Sequence, residues 1–252
     1  MEKKKVYYVM EYMENSLSDW SYNEILQMQK YLSRHPHNNL IITNFDVITS
    51  NTDTENVTNI ENLNKFISEQ KEQKIVIVSK RLIEYLNEEK GYVSIPVEGG
   101  QPIEVSADKI CLLDLRAEHT LAPKDNGEFE MFVFGGILGD HPPRDRTFAL
   151  RKDFLRTRNL KTKQMSTDTA ILVSDIILND GYEIDQIPMI EDPELRNTED
   201  PSLSVVMTGF TYVSNKFDLK TGKVNPEVKE EVPIMNSFIR DFLVFIDFDF
   251  QF

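Results

Sequence analysis

The chain has 252 residues, 40% hydrophobic and 28% charged, which fits one globular domain with room for an extension. A formal net charge of −14 argues against a surface built to grip nucleic acid, and a single cysteine excludes a disulfide framework. No stretch approaches the roughly 18 unbroken apolar residues of a membrane helix. The start MEKKKVYYVMEYMEN lacks the apolar core of a secretion signal, and a reducing, cytoplasmic setting is expected.

In chain order, KKVYYVMEY (4–12) is rich in β-branched and aromatic residues and predicts a strand. Apolar residues recur at helical spacing over 21–34, NLIITNF (39–45) predicts a second strand, and 50–59 reads as a polar loop. A helix follows over 59–70 and a strand at KIVIVS (74–79), apolar on both faces as in a parallel sheet. RLIEYLNEE predicts a short helix. Residues 91–108, with two prolines and the Gly99–Gly100 pair, read as a turn-rich excursion.

KICLLDL (109–115) and EMFVF (130–134) are the fourth and fifth strands, with Cys111 a buried core thiol. QMSTDTAILVSDIILNDG (164–181) is the clearest helix, with Ser166 or Thr167 as cap and Gly181 as terminator. Alternating strands and helices predict an α/β fold with a largely parallel sheet. Residues 1–195 read as the main domain and 196–252, divided by prolines into strand-like pieces, as an extension packed on it. Of the histidines His35, His37, His119 and His141, none pairs with another ligand at metal spacing apart from the H-P-H at 35–37 in an apparent loop, and no metal site is expected.

Three segments end strands or open a helix in ways that suit a ligand. EMFVF delivers Gly135, Gly136 and Gly139 to a strand's carboxyl end, where open α/β sheets bind ligands. The G-G-x-x-G spacing is neither a dinucleotide fingerprint nor a phosphate loop. Alone, it reads equally as a tight turn or a site. LLDLRAE (112–118) follows another strand, and QMSTDTA (164–170) offers free amides at a helix start. Three such loops at one edge of a parallel sheet can wrap one small ligand.

FVFGGILGDHPPRDRT, QMSTDTA and the early E-Y-M-E-N-S-L-S-D-W together resemble a family of SPOUT-class methyltransferases. The family includes the fungal enzyme that methylates an arginine of a small-subunit ribosomal protein. The resemblance spans residues 5–195. It implies an α/β knot, a deep trefoil in the C-terminal half, and S-adenosylmethionine bound by three loops. The implied cofactor contacts are Leu113, Asp114 and Leu115; Phe134, Gly135, Gly136, Ile137, Leu138 and Gly139; Arg144; and Gln164, Met165, Ser166, Thr167 and Thr169. Tyr12 stands where a histidine is expected in relatives.

An arginine acceptor calls for carboxylates, which match the guanidinium fork. Glu11, Glu14, Asp19 and Trp20 are the candidates. Glu11 interrupts an apolar strand, where an unpaired carboxylate is costly, and so reads as functional. Taken alone, Asp19 reads better as a helix cap and Glu14 as solvated surface, and Trp20 reads at least as well as core as a plane for an arginine. The acidic whole favours a basic ribosomal protein as substrate, with a monomer favoured over a knot-mediated dimer. The competing RNA methyltransferase reading rests on Arg144, Arg146, Arg151, Lys152, Arg156 and Arg158, and a third reading is a binding module without cofactor.

Overall fold

Six parallel strands run side by side in the order β3-β2-β1-β8-β7-β9. They are β1 (Val6–Tyr12), β2 (Asn38–Thr43), β3 (Ile75–Ile77), β7 (Ile110–Leu113), β8 (Met131–Gly136) and β9 (Thr157–Arg158). The computed structural model describes residues 5–70, 75–136, 147–154, 156–161, 164–197, 200 and 202–245. The trefoil is expected in the C-terminal half, and residues 137–146, between β8 and β9, lie outside the described residues.

Strand alternation builds a separate core on each face of this sheet. Tyr8, Met10, Tyr12, Leu40, Ile42, Cys111, Phe132 and Phe134 point to one face. There they meet helices α1 (Asp19–Leu32), α3 (Thr54–Ser68) and α6 (Thr167–Asp175). Val9, Ile41, Val76, Ile110, Leu112, Met131 and Val133 point to the other face, against Val93, Val105, Leu150 and Phe154. Burial on both faces explains the near-continuous apolar runs of these strands. Three one-turn helices, α2 (Asp46–Thr49), α4 (Asp125–Glu128) and α5 (Phe148–Arg151), carry the chain between them.

The remaining elements differ from expectation in instructive ways. α3 begins at Thr54, inside the stretch read as a polar loop, because Asn56 and Asn59 turn inward to bind backbone carbonyls of Ile48, Asn51 and Leu17. RLIEYLNEE is not a helix throughout. Leu82–Tyr85 form one 3-10 turn, and β4 (Leu86–Asn87) joins β5 (Tyr92–Ile95) and β6 (Ile103–Ser106) in an antiparallel sheet. The turn-rich excursion is therefore a hairpin that covers the second core with Val93, Ile95 and Val105. β9, only two residues long, carried no sequence signal.

α6 continues into a π-turn at Ile176–Asp180 that ends at Gly181, whose φ of 82° suits glycine. Beyond it come β10 (Met189–Glu191), β11 (Glu194–Arg196), β12 (Ser204–Val206), β13 (Thr211–Val213), β14 (Phe217–Asp218), β15 (Lys223–Val224) and α7 (Ser237–Phe245). β10 pairs with β13 and β11 with β12, so the expected boundary at 195/196 falls inside β11. α7 packs on β11, β12 and α1, with Ile239 and Leu243 buried beside Leu195. Among the described residues, no helix is long and apolar enough to cross a membrane.

Candidate active site

At the carboxyl edge of β7 and β8 the sheet opens into a cleft. Its lining is Leu113, Asp114, Leu115, Phe134, Gly135, Thr147, Leu160, Gln164, Met165, Thr167 and Ala170. The three sequence segments therefore do converge. Leu113 to Leu115 leave β7, Phe134 and Gly135 leave β8, and Gln164 to Thr167 open α6. Leu113, Phe134, Leu160 and Met165 supply apolar wall. None of the described lining residues is basic, so the cleft suits a ligand that is neutral or cationic where it meets the wall.

Asp114 is the cleft's anion. Burial opposes its charge, but Arg151 outweighs that cost. Arg151 Nε and Nη2 donate to the two carboxylate oxygens at 2.5 and 2.9 Å, and the Arg116 amide donates at 3.1 Å. The carboxyl is held below its usual range. Across the cleft, the Thr167 hydroxyl donates to the Gly135 carbonyl at 3.2 Å, pinning the start of α6 to the end of β8.

Ser166 is the N-cap of α6 by backbone geometry, yet its hydroxyl serves side chains. It donates to Asp168 Oδ1 at 2.6 Å and stands 2.9 Å from Thr169 Oγ1. Ser166, Thr169 and Gly136 thus brace the cleft from behind. A Cβ on Gly136 would lie 2.6 Å from Met10 Cγ and 3.1 Å from the Glu11 carbonyl, so β1 itself demands glycine there. Ile137, Leu138, Gly139 and Arg144 lie outside the described residues. Thr147, Leu160 and Ala170 escaped the sequence reading; Ala170 was findable, one helical turn after Thr167.

The four acceptor candidates do not form one group. Glu11 is 1% exposed and faces the second core. Its Oε1 accepts from Arg81 Nε at 2.8 Å, and its Oε2 from Thr43 Oγ1 at 2.7 Å and the Leu82 amide at 2.9 Å. Arg81 also reaches Asp153 Oδ2 at 2.8 Å. Asp19 lies in the first turn of α1, accepts from Asn59 Nδ2 at 2.9 Å, and leaves capping to Ser18. Trp20 meets Phe242 of α7 edge-on at 6.2 Å. Glu14 lies near Tyr12, where burial above all, and then the Glu14 and Glu24 carboxylates, push the phenol upward.

A second polar cluster sits at the far end of α6. Arg34 Nη1 bonds Asp175 Oδ2 at 2.9 Å and Nη2 bonds Asp180 Oδ2 at 2.5 Å. His35 Nε2 stands 3.7 and 3.6 Å from the same two carboxylates. Although His35, Asp175 and Asp180 converge as metal ligands do, the guanidinium already supplies the cation.

The chain is similar in sequence and in fold to known proteins. The profile of the family described as "Protein arginine N-methyltransferase SFM1-like" matches residues 7–226. The protein arginine N-methyltransferase SFM1 of Saccharomyces cerevisiae is 32% identical over 216 residues, which cover 83% of this chain and 86% of that protein. The crystal structure of the yeast arginine methyltransferase SFM1 complexed with SAM superposes with a TM-score of 0.65 at 29% identity, covering 96% of this chain and 90% of the other. Its complex with SAH gives 0.62 at 30% identity, covering 94% and 93%. A match running from β1 through β15, with the yeast relative alike in sequence and in fold, means that the chain belongs to the SFM1-like family of protein arginine N-methyltransferases.

Proposed function

We propose that the chain uses S-adenosylmethionine (SAM) to methylate an arginine side chain of a basic, small-subunit ribosomal protein. The observation that carries the reading is the cleft. Three loops meet at the carboxyl edge of a parallel sheet, with apolar wall, one held carboxylate and no basic residue among the described lining. That chemistry fits a flat base and a sulfonium cation. SAM supplies an electrophilic methyl group, and the protein's task is to orient the acceptor and exclude water. Leu113, Phe134 and Met165 would flank the adenine.

The RNA reading is weakened by where the basic cluster goes. Arg151 is taken by Asp114, Arg156 by Glu128, and Arg158 by Asp125 at 3.0 Å. Arg156 and Arg158 also cover the Phe129 ring at 4.4 and 4.9 Å. Arginines engaged by carboxylates and a ring are less available to phosphate; Lys152 is exposed, and Arg144 and Arg146 lie outside the described residues. We read the chain as cytoplasmic, and as a monomer in which α7 covers part of α1; size-exclusion with light scattering checks the mass.

The test is calorimetric titration with SAM, followed by tritium transfer from labelled SAM to salt-extracted small-subunit ribosomal proteins. Label mapped to an arginine is expected, with binding lost in Leu113→Arg. Label that appears only in RNA sinks the reading.

A further inference from the structure

Thr147 lines the cleft, and the one-turn helix α5 follows it at once. The Leu150 and Arg151 amides donate to the Thr147 carbonyl at 2.9 and 3.0 Å, so Arg151 lies one turn beyond the cleft wall. Leu150 and Phe154, both buried, anchor this segment in the second core.

Two ionic links leave the segment in opposite directions. Arg151 Nε and Nη2 grip both carboxylate oxygens of Asp114, just past the end of β7. Asp153 Oδ2 accepts from Arg81 Nη2, and Arg81 Nε donates to Glu11 near the end of β1. In the sheet β8 lies between β1 and β7, and Glu11 pairs in register with Gly135. Residues 147–153 are therefore tied to the strands on both sides of the glycine-bearing end of β8.

The two links differ in what they touch. Asp114 belongs to the cleft wall, between Leu113 and Leu115, and is 4% exposed. Its Oδ1 also accepts the Arg116 amide at 3.1 Å and its carbonyl accepts the Ala117 amide at 3.0 Å, so this residue shapes the turn that leaves β7. A carboxylate so buried depends on its cation, and a bidentate fork fixes its orientation as well as its charge. Arg81 and Glu11 form no part of the lining. Their link fastens α5 to the scaffold, whereas the Arg151 link joins two pieces of the cleft wall.

We infer that Arg151 is a positioning residue for SAM, acting through Asp114 to hold the Leu113–Leu115 wall and the Thr147 wall in one arrangement. The inference rests on the SAM-binding reading above. Arg151 is not itself part of the lining, so its effect passes through the carboxylate it grips. Walls that are already set need no ordering when a ligand enters, and releasing them lowers affinity. The link touches neither the methyl group in flight nor the acceptor nitrogen. It therefore governs SAM affinity and the KM for SAM, and leaves the rate at saturating SAM nearly unchanged.

The experiment compares the full-length native chain with Arg151→Met, Asp114→Asn and the double variant. Arg34→Met, which breaks the cluster at the far end of α6, is the control for lost stability. SAM affinity is read by calorimetry, beside the thermal midpoint and the kcat and KM for SAM in tritium transfer. Arg151→Met is expected to bind SAM about tenfold or more weakly, with kcat at saturating SAM within about threefold of native. The double variant is expected to bind within about twofold of Arg151→Met, because both break the same link. Arg34→Met is expected to keep SAM affinity within about twofold while its thermal midpoint falls. Near-native SAM affinity in Arg151→Met overturns the inference. So do losses that add in the double variant, which would give Arg151 and Asp114 separate contacts with SAM. An equal loss in Arg34→Met also overturns it, since general loosening would then explain the effect. Arg151→Lys keeps the charge without the fork and carries the test if Arg151→Met does not fold. It is expected to bind SAM about threefold or more weakly, and native affinity in it overturns the inference as well. No SAM binding by the native chain removes the SAM reading and the inference with it.

Discussion

Glu11 shows how a single side chain changes meaning once its surroundings are known. A carboxylate in an apolar strand is costly unless paired, and here Arg81, Thr43 and the Leu82 amide satisfy it. Glu11→Gln should therefore cost about 2 kcal/mol in urea unfolding, discounted because Arg81 is 32% exposed, and leave SAM affinity unchanged. Gly136 makes the same point for backbone. The loop's bare glycine answers to Met10 and the Glu11 carbonyl on β1, and Gly136→Ala should destabilise by about 1–3 kcal/mol in the same assay. Cys111 was legible as a core thiol. Burial pushes it up to about 12, so it should stay unreactive toward a thiol reagent until the protein unfolds.

Among elements, the long apolar helix was readable from its period, but its partners were not. α6 packs along α1, and the two are clasped near their C-terminal ends by Arg34 across Asp175 and Asp180. Asn38 and Asn179 add donors to Asp175, and Arg34 Nε reaches the Leu219 carbonyl, tying in the β14–β15 hairpin. Arg34→Met leaves a buried carboxylate without its cation and should cost about 3 kcal/mol. Asp175→Asn in the same background should recover part of that loss, a coupling that a double-mutant cycle measures. The hairpin at β5 and β6 escaped the sequence reading because its glycines and prolines mark turns without saying what the strands between them cover. Burial of Val93, Ile95 and Val105 against the sheet settles it.

Across the whole molecule the buried carboxyls set opposing pH trends. Asp114 and Asp180 are held below the usual range, after burial is outweighed by their cationic and hydrogen-bonding neighbours. Their stabilisation is present above the unfolded carboxyl pKa and is lost as pH falls through the lower folded value. Glu24, Asp168 and Asp175 are raised, chiefly by burial, so their contribution is full below the unfolded pKa and is lost as pH rises through the folded value. Thermal midpoints measured from pH 4 to 9 should fall on the alkaline side in the native chain, and Glu24→Gln should flatten that fall. By itself the sequence determined the parallel α/β pattern, the three loops and the family, because period, glycine spacing and contiguous motifs are local properties. Only the tertiary structure decided which buried carboxylates receive an arginine. Arg81 lies 70 residues from Glu11 and Arg34 lies 141 from Asp175, so no local pattern reports these pairings, and desolvation acts on a charge only after the chain has closed around it.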